Sequence, residues 1–516
     1  MRFFNLIIQL FTLVFFYKLM KFFLRLAFIL ILLSLLFSSL AFGDQNSSQS
    51  YWSDVTKKDL RQARKVLIDH SAGAKDWANP AFTNWLEYGY DQALNLSNKV
   101  TSYEGYLACL KYYAAGFQDE HINIYNQKQI SYKWPGFTVS YKKGKFYVNE
   151  VDSFFDGEEN LPFEGDEILT INGHAPEEYL KEYTFKFHEG IYEFEADRIV
   201  NTPLIFFEEG NPFIPRVETI TVKSNDEEVF NYYLDYRKIS SNQAQKLLNR
   251  AKHAVSNSFS VKEYKDLNGV WITFPSFGVT DKQEIKLANL IVDKMESFRD
   301  KNFIVFDVRG NTGGSSKWGD RLIKPLYGEG FVLHTYEQNR RKNTHTEFRI
   351  SEDNYNWALE IEKKLSKQHG SDYKCSYVDK LKKGLKKQKK EDFIKIKTYS
   401  WLNNKIVDRS IKIAPYTKVI LLTDGACASS CYMFSERLLY MPQVYHVGLP
   451  THAPTYYGEC RSVKLNSKNA SIAFPMSIFR WQDQFMYPFE PDYRFDGYLD
   501  EQAKVEKWVL DLAQSL

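Results

Sequence analysis

Apolar positions change their spacing along the chain, and each change predicts a different kind of element. After Asn79-Pro80, the residues Phe82, Trp85, Leu86, Ala93 and Leu94 recur at the spacing of one helix face, and Tyr103, Leu107, Leu110 and Ala114 repeat it. Residues 52–118 therefore read as helical. The pattern ends at Gly116-Phe117-Gln118-Asp119-Glu120-His121, beyond which Ile122, Ile124 and Tyr125 turn to strand-like composition. From Trp134 to about Lys223 short alternating runs take over: FTVSY, the turn Lys143-Gly144-Lys145, FYVNEV, and a strand closed by Asn172-Gly173. Residues 224–262 are polar and read as a connector with a helix in its second half.

The texture changes again at Gly269. An apolar strand Gly269–Phe274, a helix with Ile285, Ala288, Val292 and Met295 on one face, and a second apolar strand Phe303–Val308 make a βαβ pattern, which implies a parallel sheet. Residues 338–397 interrupt it, with a helical stretch Tyr355–Leu365 and the basic run Lys380–Lys397, a solvated helix face in an insertion or lid. Val419–Leu422 resumes the sheet, Ser430–Tyr440 makes a helix and Val444–Gly448 another strand.

The N-terminus carries two apolar runs, Phe3–Phe16 and Phe22–Phe42. Read from Met20, a basic start, an apolar stretch and Ala41-Phe42-Gly43 before Asp44 have the layout of a secretory signal peptide, with residues 1–19 an upstream extension. The alternative is a retained membrane anchor. Removing residues 1–43 takes away Arg2, Lys18, Lys21 and Arg25, so the formal charge of +3 becomes −1. An exported, near-neutral protein has no bulk attraction for nucleic acid. The 516 residues, 44% of them apolar, suffice for several domains with buried cores. The five cysteines lack convincing zinc-ligand spacing, and no metal or cofactor site is expected; structural cysteines, with one disulfide involving Cys460, fit an oxidising compartment.

Two stretches carry candidate chemistry. In Val419–Ser435, VILLTDGACASSCYMFS, an apolar strand stops at a polar turn and restarts as a helix, which places a serine where the first helical N–H groups have no internal partner. The bland alternative is a strand-to-helix corner packed with small residues. The strand ending Asp307-Val308-Arg309-Gly310-Asn311-Thr312-Gly313-Gly314 lets backbone amides approach a ligand closely. It lacks the Gly-Lys-Ser/Thr ending of a phosphate loop and the spacing of a dinucleotide fingerprint, so an oxyanion-binding loop fits it better.

The GDEILTING segment at 165–173 resembles a PDZ domain, which implies capture of a peptide carboxylate beside an added strand. Together with DVRGNTGG, TDGACASSCYMFSERL and VYHVGLPT in that order, it resembles the carboxyl-terminal processing (tail-specific) serine proteases and the related tricorn-protease core over roughly residues 75–510. The resemblance implies a ClpP/crotonase-like α/β core at 246–516 with an insertion at 338–400, an N-terminal helical subdomain at 44–130, and a β-rich PDZ-like domain with connector at 131–245. It places the nucleophile on Ser429 and the oxyanion donors on the Ser430 amide and Gly313–Gly314. The tail-specific branch takes its base from a lysine, and Gly448–Thr455 has none. The tricorn-like branch implies His121 as base, with Glu490 completing a relay; His452, two residues before the lysine-equivalent Pro454, is the rival base. The expected activity is an exported, periplasmic or secreted serine endopeptidase acting on peptides or proteins, failing as pH drops through an imidazole pKa near ~6.5. Membrane association would come only through an uncleaved N-terminus. The alternatives are an inactive protease-fold protein that binds peptide C-termini, and a carrier of apolar ligands like the retinoid-binding repeats.

Overall fold

Helices at residues 51–70, Pro80–Ser97 and Tyr103–Ala115 open the described chain. The second starts where sequence chemistry requires, with Pro80 in its first turn and the Asn79 side chain accepting from the Phe82 amide; Ser102 caps the third in the same way. The computed structural model describes residues 51–152, 161–339, 345–369, 378–387, 391–397, 408–453, 456–480 and 487–516. The export segment read at 1–43 and position 454 lie outside them. Among the described residues no helix is long and apolar enough to cross a membrane.

After β1 (Asn123–Asn126) and β2 (Tyr132–Trp134) comes an antiparallel sheet of β3 (Phe137–Lys142), β4 (Lys145–Val151), β5 (Glu167–Ile171), β6 (Thr219–Lys223) and β7 (Val229–Tyr233), neighbours in that order. Phe137, Val139, Val148, Ile168, Ile220 and Val222 form its core, with Leu180, Ile205 and Phe206 packed against it. The stretch read as a polar connector contains β7, β8 (Arg237–Ile239), the helix Ser241–Ala251 and β9 (Ser260–Tyr264). At the sheet edge, β7 leaves Val229, Phe230 and Tyr233 exposed, so its sequence shows no buried alternation.

The central sheet contains β9, β10 (Gly269–Thr273) and β11 (Phe303–Asp307), then β14 (Lys418–Thr423), β15 (Val444–Gly448) and β18 (Tyr493–Arg494). Its order is β18-β15-β14-β11-β10-β9, and all its pairings are parallel except that of β9. Every residue of β10 and β11 is buried. That is the sequence signature of a parallel strand covered on both faces. Here Ala288, Leu322, Phe434 and Leu438 cover one face, and Val505, Val509 and Ala513 of the C-terminal helix Gln502–Ser515 cover the other.

The 338–400 insertion contributes β12 (His345–Arg349) and β13 (Phe393–Lys397) to a second sheet. With β16 (Tyr457–Lys464) and β17 (Ala470–Arg480), this sheet runs β1-β17-β12-β13, and β16 also pairs with β17. Ile472, Phe474, Met476 and Ile478 of β17 pack into the same core as Phe82, Leu86, Leu107 and Leu110. The N-terminal helices are thus anchored on a strand from the far end of the chain.

Candidate active site

β11 and β14 are adjacent and parallel, in a register that sets Asp307 beside Leu422. The loops that leave their carboxyl ends, 308–316 and 424–429, therefore meet, at the edge where open α/β sheets place their sites. Asn311 joins them. Its side-chain oxygen accepts from the Gly313 amide at 2.9 Å and the Phe277 amide at 3.3 Å, its Nδ2 donates to the Phe274 carbonyl at 2.9 Å, and its own carbonyl accepts from the Ala428 amide. Below the loop, Arg309 grips Asp307 through two nitrogens, at 2.8 and 2.6 Å, with both side chains almost wholly buried.

Ser429 sits between the turn and the helix Ser430–Leu439 with φ of 53° and ψ of −117°. A side chain in that region is strained by about 1–3 kcal/mol, and the surrounding structure must hold it there. Two features do so. The Cys427–Cys431 disulfide closes a loop around the serine, both of its cysteines buried in the core. Gly313, at φ +97°, passes so close that a β-carbon on it would lie 2.7 Å from the Ala428 oxygen, 2.8 Å from Ser429 Cβ and 2.9 Å from the Ser430 nitrogen. The expectation of a disulfide at Cys460 is corrected: Cys460 is free and exposed, and the pair is Cys427–Cys431.

The Ser430 hydroxyl donates to the Gly314 carbonyl at 2.6 Å, pinning the two loops together. With the Gly313 amide engaged by Asn311, the amides of Gly314, next in the glycine loop, and of Ser430, next after Ser429, donate to no acceptor among the described residues. Ser429 itself is exposed, and its hydroxyl is unbonded among the described residues.

His121 lies in the turn after the third helix. Its Nδ1 is 3.1 Å from Asp119 Oδ1, which also accepts the His121 backbone amide at 2.8 Å. Burial pulls the imidazole pKa down, but the Asp119 carboxylate and the hydrogen-bonded Cys460 side chain outweigh it, and the pKa is held well above the usual value. Glu490, expected in the relay, is exposed, and it is its backbone carbonyl that contacts a histidine, His446 Nδ1 at 3.0 Å. Asp119 is the carboxylate on His121.

His452 has both ring nitrogens occupied: Nδ1 contacts the Ala453 carbonyl at 2.9 Å, and Nε2 faces Asp197 Oδ1 at 2.7 Å and Glu120 Oε1 at 2.8 Å. Its backbone amide donates to the Cys427 carbonyl at 3.2 Å. A continuous run of contacts thus links Ser429's disulfide loop through His452 and Glu120 to His121. Asn311, Asp119 and Asp197 escaped the sequence reading. Asp119 stands two residues before His121, and that spacing was the available signal; Asp197, far away in the β-rich unit, left none.

Residues 270–484 match the family model described as Peptidase family S41. Among solved structures the chain is similar to mature CPAF complexed with lactacystin, at 14% identity and a TM-score of 0.61 over 90% of this chain and 100% of that one. Mature CPAF without that addition gives 14% and 0.61 over 90% and 98%. At this identity the likeness concerns the fold. No curated protein matches the chain.

Proposed function

From a peptidase family S41 domain at residues 270–484 as premise, we propose that this protein is an exported serine endopeptidase that hydrolyses peptide bonds through an acyl-enzyme on Ser429. The observation that carries the reading is the strained Ser429, held against Gly313, with the amides of the adjoining Gly314 and Ser430 left without acceptors among the described residues. Ser429 attacks the peptide carbonyl, and the Gly314 and Ser430 amides hold the oxyanion that forms. His121 is the base. Asp119 on Nδ1 orients the ring, and the imidazole takes the serine proton in exchange for its hydrogen bond with the Cys460 side chain and returns it to the leaving amine. His452 is instead enclosed, with Nδ1 on the Ala453 carbonyl and Nε2 between the Asp197 and Glu120 carboxylates. Water then hydrolyses the acyl-enzyme. Action near peptide carboxyl termini is the finer reading, supported by the sequence resemblance; export is supported by the layout of residues 20–44.

The test is labelling with a fluorophosphonate, followed by peptide mapping. The adduct is expected on Ser429 in the wild type and in Ser430→Ala, and a folded wild type that takes no label would sink the proposal. His121 must be neutral to accept the proton. With its pKa held above the usual imidazole value, labelling should be lost as pH falls through that raised value, at higher pH than the ~6.5 of a free imidazole.

A further inference from the structure

Glu120, Asp197 and His452 come from three separate parts of the fold: the turn after the N-terminal helices, the helix Glu195–Asn201 of the β-rich unit, and the loop after β15. Their donor atoms lie within 4.8 Å of one another. We propose that these residues form a zinc-class divalent cation site that joins the three parts, a binding site beyond the peptidase chemistry and independent of it.

Two of the three donors are aimed from behind. A carbonyl can only accept, so the contact of Nδ1 with the Ala453 oxygen puts the ring proton on Nδ1 and turns Nε2 to the cluster. Asp197 Oδ2 accepts the Ile191 amide at 2.6 Å, which turns Oδ1 to the same point. Such outer hydrogen bonds are what hold metal ligands in place. A neutral imidazole would then present a lone pair to two carboxylate oxygens at 2.7 and 2.8 Å. One added proton on Nε2 points along one N–H direction and serves one carboxylate fully. A dication serves all three.

The donor set selects the ion. One imidazole nitrogen and two carboxylates, with a fourth position open, suit tetrahedral zinc, whereas calcium and magnesium favour all-oxygen shells and copper(I) wants sulfur. With bonds of about 2.0–2.1 Å, tetrahedral ligand atoms sit roughly 3.3 Å apart, so the side chains must part by about half an ångström. Entry is from one side: the Glu120 side chain is 39% exposed, against 3% for Asp197 and 10% for His452.

The full chain, stripped with a chelator, would be titrated with zinc sulfate and, for its visible absorption, with cobalt chloride. One zinc per chain and a tetrahedral cobalt spectrum are expected, with affinity reduced at least about 100-fold in His452→Ala and about tenfold or more in Asp197→Asn and Glu120→Gln. The exposed Glu120 makes Glu120→Gln the variant that keeps the fold if the buried ones do not. Cys460→Ser, which removes the thiol beside His121, should bind as wild type. The proposal is overturned if zinc does not bind at micromolar concentration, which would leave an imidazolium shared by two carboxylates. It is equally overturned if Glu120→Gln binds unchanged or if Cys460→Ser is the variant that loses the metal.

Discussion

Ser429→Ala is expected to lower kcat/KM on a peptide substrate by roughly 10⁴- to 10⁶-fold, with the fold and substrate binding retained. The loss is large because the side chain is the nucleophile, while the Gly314 and Ser430 amides that survive the change account for the residual rate. His121→Ala should fall nearly as far, and Ser429→Ala/His121→Ala no further, since a nucleophile and its base act as one unit. Asp119→Asn should keep the imidazole in place but reverse its preferred tautomer, for a loss of up to about 10⁴-fold. Steady-state kinetics on these four variants and on His452→Ala separates the roles: a Ser429→Ala enzyme within tenfold of wild type would refute the nucleophile, and an unaffected His121→Ala with an inactive His452→Ala would exchange the bases.

The second large effect concerns stability. Arg309→Ala should destabilise the fold by about 3–5 kcal/mol, because it leaves the Asp307 carboxylate buried without its charge partner. The guanidinium also reaches the Leu499 carbonyl at 2.5 Å and Gln502 Oε1 at 2.6 Å, so the change unfastens the start of the C-terminal helix from the glycine loop. Replacing both partners, as in Asp307→Leu/Arg309→Met, should be milder than the single change, since no charge is stranded. Urea denaturation measures both, and a single variant within about 1 kcal/mol of wild type would show that water reaches Asp307.

Much of the core was legible because burial on two faces leaves continuous apolar runs. GVWIT and FIVFD could be read as parallel strands for that reason, and the small residues before Ser430 marked the strand-to-helix turn. β7 was not legible, since an edge strand with exposed Val229 and Phe230 has no periodicity to read. β12 and β13 looked like an insertion because their partner β17 lies far along the chain. The disulfide was misplaced for a local reason: cysteines four apart at a helix start can turn to the same side, and here both turn inward around Ser429. Asp119 was given no role in the sequence reading, because nothing in the hydrophobic pattern distinguishes it from the other polar residues that end the helix, yet its side chain is buried against His121.

The pairing of β1 with β17 also bears on how the chain reaches this state. Asn123 lies opposite Ala473, about 350 residues later. Loop-closure entropy for such a contact is met only when all the chain between the two strands is present, and topologies rich in these contacts fold slowly. During synthesis the helices at 51–115 emerge well before β17 and cannot bury the face that Phe474 and Ile478 cover until that strand arrives. Until then no complete core supports Asp119 and His121. Assembly of the proposed base is thereby deferred to the end of folding, so a nascent or truncated chain would be proteolytically silent without any inhibitor.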